Sequence, residues 1–99
     1  MKAFFCKLIG PRPGFPGDMT PMEAQAMQRH VAYWRSWVEK GRVVAFGPVA
    51  EPATTYGILI LEVENEAAAR ALLDADPVIE GRLGFRFELH PMPRGAIHR

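Results

Sequence analysis

A histidine in a helix and an aspartate locked by the proline after it are the residues of this chain best suited to moving a proton. His30 falls on the flank of an apolar helical stripe, on the order of 70° from its centre at ~100° per residue, with Trp37 one heptad on. There it would sit at the margin between helix and sheet, partly shielded from water, where its proton equilibrium can be tuned for acid–base work. Asp76 precedes Pro77 at a helix end, where the backbone is fixed. A rigid carboxylate of that kind can orient an imidazole or act as a base itself. Each residue has an ordinary alternative: His30 as a histidine hydrogen-bonded at the edge of the core, Asp76 as the cap of a short turn through Val78 to Gly81. The sequence alone does not rank Asp74 against Asp76.

Other constellations are weaker. Phe46-Gly47-Pro48 places a glycine in a strand, where a ligand or another backbone can approach closely, although a bulge or strand end produces the same pattern. The loop over residues 10–20 contains Gly10-Pro11-Arg12-Pro13-Gly14-Phe15-Pro16-Gly17, whose prolines offer no amide to a phosphate, and no Gly-Lys-Ser/Thr follows it. A rim or lid suits it better. His30, His90 and His98 show no metal-ligand spacing and Cys6 has no cysteine partner, so no metal and no disulfide are expected. Cys6 reads as a small core residue. Arg82-Leu83-Gly84-Phe85-Arg86-Phe87 faintly echoes the aromatic motif of RNA-recognition domains but lies on the last strand, whereas that motif belongs on the third.

The elements that must position these residues are legible. Lys2 to Ile9 alternates Phe4, Cys6 and Leu8 against Phe5, Lys7 and Ile9, a strand that is apolar on much of both faces. Thr20-Pro21-Met22-Glu23 has the layout of a capping box, and Met27, Val31, Trp34 and Val38 form a stripe on a helix that runs to about Lys40 and stops at Gly41. Arg42 to Val49 and Thr55 to Val63 read as a hairpin, with Tyr56 to Leu61 apolar enough to be a central strand. Asn65 caps an alanine-rich helix ending near Asp76-Pro77, and Gly84 to His90 is a last strand closed by Pro91 and Pro93. Strand, helix, strand, strand, helix, strand is the ferredoxin-like α+β arrangement, βαββαβ, with a four-stranded antiparallel sheet and helices on one face.

The chain has 99 residues, 48% apolar, with 12 Lys+Arg against 11 Asp+Glu. That size accommodates one domain, residues 1–99, with a loosely held tail over 93–99. The charge balance lacks the basic footprint of a nucleic-acid binder or a polybasic membrane binder. Apolar runs of about five residues fall short of the ~20 needed to span a membrane. No signal-peptide core opens the chain, so a cytoplasmic location is expected. Helices on one sheet face leave the apolar residues of the other uncovered, and a second copy packed sheet to sheet is the simplest cover. The expectation is a homodimer.

His30-Val31-Ala32-Tyr33-Trp34, then Glu39 to Val49 with its Phe46-Gly47-Pro48, then Ala67 to Leu73 running into Ala75-Asp76-Pro77 resemble, in this order, the YCII-related domain. The resemblance extends to about Pro91, and where the family pattern usually carries an aromatic after Asp-Pro this chain has Val78. It implies a dimeric α+β barrel with a pocket in which the helix histidine and the Asp-Pro aspartate, here His30 and Asp76, are the catalytic pair. It also implies lyase or isomerase chemistry on small cyclic compounds, since relatives include a dehydrochlorinase and the fold is shared with muconolactone isomerase. The expectation is therefore a cofactor-independent enzyme with Trp34, Phe46 and Gly47 as pocket walls for a small-molecule ligand. The alternative is a non-catalytic small-molecule-binding or assembly domain with a structural histidine.

Overall fold

A computed structural model describes residues 1–96 of the chain. The elements, in order, are β1 (Lys2–Ile9), α1 (Pro21–Glu39), β2 (Val43–Ala50), β3 (Thr55–Val63), α2 (Glu66–Asp74), α3 (Pro77–Glu80) and β4 (Arg86–Met92). The strands form one antiparallel sheet in the order β2-β3-β1-β4, so the two most apolar strands are central, as their patterns require. This is the ferredoxin-like α+β fold expected from the order of elements. The expectation for the tail includes residues 97–99, His98 among them, which lie outside the described residues.

Pairing register arranges the helix-facing side of the sheet in rows. Leu89, Cys6, Leu59 and Phe46 make one row, and Phe87, Leu8, Gly57 and Pro48 make the next. Trp34 of α1 and Ala69 and Leu73 of α2 pack with Phe4, Cys6, Val43, Leu59, Leu61 and Val63, while Ala26 of α1 and Val78 of α3 pack with Leu8 and Phe85. Each large apolar side chain buried there contributes about 1.5–3 kcal/mol relative to exposure. On the far side, Phe5, Ile58 and Ile60 are half-buried, with the Phe5 ring stacked on His90 and the Lys7 ammonium over the Tyr56 ring.

Helix α1 begins as its sequence predicts. The Thr20 hydroxyl accepts from the Glu23 amide while the Glu23 carboxylate accepts from the Thr20 amide, and Pro21 occupies the first turn. It ends in a Schellman motif: the amides of Gly41 and Arg42 donate to the carbonyls of Val38 and Trp37, with Gly41 at φ +78°. The buried face, however, is rotated from the expected stripe. Glu23, Ala26, His30 and Trp34 point inward, whereas Val31 and Val38 are exposed. Two polar residues occupy inward positions because each meets a partner distant in sequence, and hydrophobic periodicity does not register such partners.

Two strand expectations also change. Strand β2 is not interrupted at Gly47; its irregularity lies between Val43 and Ala45, where an extra residue shifts the register. The shift returns Phe46 to the helix-facing side, opposite Leu59. Strand β4 starts at Arg86 and continues through Pro91 to Met92. As a sheet edge it tolerates a proline that a central strand would not.

Candidate active site

Asp76 is fully buried, yet its carboxylate has ample company. Its Oδ2 accepts from the Trp34 indole N–H at 2.7 Å and lies 2.7 Å from His30 Nδ1. Its Oδ1 accepts from the Val78 amide at 2.9 Å, which makes Asp76 the N-cap of α3. Pro77 holds the first helical position, where no amide is missed. The aspartate is thereby fixed by its own backbone, by α3 and by α1.

His30 is 8% exposed and sits on the inward face of α1, one turn before Trp34. An Nδ1–H donated to Asp76 leaves Nε2 as the ring nitrogen free for chemistry. The ring lines a cavity of about 240 Å³ whose other walls include Leu8, Phe15, Met27, Phe46, Leu59, Phe85 and Phe87. Its floor is the sheet row containing Gly57. Leu8 and Pro48 flank that glycine, and the side chain it lacks leaves the row open. A Cβ at Gly57 would stand 3.3 Å from Leu8 Cβ, so even alanine would crowd the row.

Of the expected wall residues, Phe46 and Gly47 line this cavity. Trp34 does not; it is fully buried behind Asp76, with its indole committed to the carboxylate. Phe15, Gly57, Phe85 and Phe87 were not anticipated as walls. The Tyr56-Gly57 glycine in an otherwise apolar run was the available signal for the floor. Asp74 ends α2, and of the two aspartates it is Asp76 that lies against His30. Cys6 is buried beneath the sheet, and burial pushes its thiol up to about 12. Among the described residues, no group of three or more His, Cys, Asp or Glu side chains could hold a metal ion, and no helix is long and apolar enough to cross a membrane.

Among solved structures, the fold is similar to 5-chloro-2-hydroxyhydroquinone dehydrochlorinase from Burkholderia phenoliruptrix AC1100, solved with 2,5-dihydroxybenzoquinone. That likeness has 20% identity and a TM-score of 0.67, covering 93% of this chain and 95% of the other. An uncharacterized protein from Thermotoga maritima is similar at 11% identity and a TM-score of 0.50, covering 91% and 94%. No curated protein matches. The YCII-related domain matches residues 3–92, nearly the whole of the chain, and the chain belongs to that family.

Proposed function

We propose that the chain is a cofactor-independent lyase or isomerase that moves a proton on a small cyclic or aromatic compound. The observation that carries this reading is the His30–Asp76 contact at 2.7 Å on the wall of an apolar cavity. His30 Nε2 takes the proton, and the bond pair it leaves behind becomes a new π bond. In an elimination the leaving group departs with its own electron pair. In an isomerisation the imidazolium returns the proton to another atom. Asp76 holds the ring in one tautomer and stabilises the imidazolium, a contribution of about 10² to 10⁴ in rate for a positioned acid–base group. The resemblance in fold to a dehydrochlorinase supports the reaction class.

The alternative, a binding or assembly domain with a structural histidine, is favoured by one observation. Asp76 also caps α3 and ties down Trp34, duties that a purely structural carboxylate would have. Chloride release from chlorinated hydroquinones, followed with wild type and His30→Gln, separates the two. Release that falls by about 10² or more in the variant supports the enzyme. Release that is absent in wild type across the panel, or intact in His30→Gln, sinks the mechanism.

The same reading includes a homodimer through the open sheet face. Apolar Phe5, Ile58 and Ile60 lie there among Lys7, Arg86 and Glu88, a mixture of signs that suits a twofold, self-complementary interface. Sedimentation at micromolar protein should show twice the 11.1 kDa chain mass. An 11.1 kDa species alone would rule the dimer out.

A further inference from the structure

Residues 10–20 supply Phe15, Pro16 and Met19 to the cavity that His30 lines. Loops rich in glycine and proline are ordinarily the mobile parts of a fold, but this one is fastened at several points. A Cβ on Gly10 would stand 2.7 Å from Phe15 Cδ1, so glycine at that position lets the Phe15 ring close onto the end of β1. The same ring meets Phe85 edge-on, with centroids 5.1 Å apart and planes at 89°. Pro11 covers Gly84, where a Cβ would stand 3.0 Å from Pro11 Cβ.

Arg12 is the hub of the loop. Its guanidinium donates to both carboxylate oxygens of Glu23, at 2.8 and 2.6 Å, and to the Asp18 carboxylate and carbonyl, at 2.9 and 2.8 Å. Glu23 is buried on α1, so the bond anchors the loop to the helix that carries His30. A bidentate arginine–carboxylate pair fixes direction as well as distance. Neither Arg12 nor Glu23 touches the cavity.

The cavity's 240 Å³ decides what such a wall can admit. An apolar cavity of ~150 Å³ takes a benzene, and sites for drug-sized ligands begin near 300 Å³. We infer that Phe15 is the specificity-determining wall of the site, with Arg12 and Glu23 as its positioning residues, and that it admits one substituted ring and rejects two fused rings. This rests on the cavity being the substrate site.

The test uses the whole chain and two neutral phenols, 4-methylphenol and 1-naphthol, titrated by calorimetry well below the unfolding midpoint, with the His30 ring signals followed in parallel by NMR. Wild type should prefer 4-methylphenol by about tenfold or more, and Phe15→Ala should abolish or reverse that preference. Phe15→Leu carries the same comparison should the alanine variant fail to fold. Arg12→Met keeps Phe15 yet should relax the preference by about threefold, and Arg12→Lys should recover part of it. Leu83→Ala is the control, since Leu83 packs against the same cluster without lining the cavity. It should lower the melting temperature and leave the preference unchanged.

A preference unchanged in the Phe15 variants, or relaxed equally by Leu83→Ala, overturns the role of Phe15 and leaves the substrate-site reading standing. A preference unmoved by Arg12→Met overturns the positioning role. Failure of both phenols to bind either wild type or the Phe15 variants overturns the substrate-site reading and this inference with it.

Discussion

Asp76 accepts from three groups while excluded from water, so removing it leaves the Trp34 indole, the Val78 amide and His30 Nδ1 without their acceptor. Breaking a buried network of this kind costs about 3–5 kcal/mol, and Asp76→Ala should lose that much in chemical denaturation. Trp34→Phe withdraws one donor and should cost less, about 1–3 kcal/mol, while leaving the His30 contact in place. Equal losses in the two variants would show that the carboxylate is not the hub. Cys6 behaves differently. Its thiol, held up to about 12 by burial, should resist iodoacetamide at pH 8 in the native protein and react once denatured, as read by mass spectrometry. Rapid native labelling would contradict this. At this scale the sequence singled out two residues that the fold brings together, because proline after Asp76 and a histidine beside an apolar stripe are local signals. The commitment of Trp34 to Asp76 was not legible, since an indole in a helix looks the same whether it faces a ligand or a carboxylate 42 residues away.

Among the elements, α1 shows most clearly what local pattern can and cannot say. Its start and stop were readable because caps are made by neighbours in sequence. Its facing was not, because Glu23 and His30 are admitted to the interior by Arg12 and Asp76, from other elements. The position of the bulge in β2 was equally hidden: Gly47 suggested one there, but pairing with β3 sets it between Val43 and Ala45, where it re-aims Phe46. Two outcomes test the ends of α1. Gly41 sits at φ +78° with open space around its Cα, so Gly41→Ala meets no clash but does meet backbone strain, and should destabilise by about 1 kcal/mol. At the other end, the Arg12 guanidinium and the Thr20 amide hold the Glu23 carboxyl down at about 2, from the usual 4.5. A folded-state value below the unfolded one stabilises above pH 4.5 and is lost as pH falls toward 2. Stability measured across that window should fall less in Glu23→Gln than in wild type. An identical acid dependence would show that the latch carries no such coupling.

For the molecule as a whole, the order of elements was enough to specify the sheet topology, since few arrangements of six alternating elements obey the rules of handedness and adjacency. The cavity was not specified by any stretch of sequence. Its floor is a gap in one row of the sheet at Gly57, its wall comes from the loop after β1, and its histidine comes from α1. These meet only after the chain has closed on itself. Asp76 likewise joins His30 across 46 positions and Trp34 across 42. The contact therefore forms only as the chain closes on itself, and the proportion of molecules that hold the pair together should equal the proportion folded. In heavy water, the Trp34 indole proton should exchange with the free energy of global unfolding, and so much later than amides at the frayed helix ends. Exchange at a markedly lower free energy would reveal a local opening that uncouples the site from the fold.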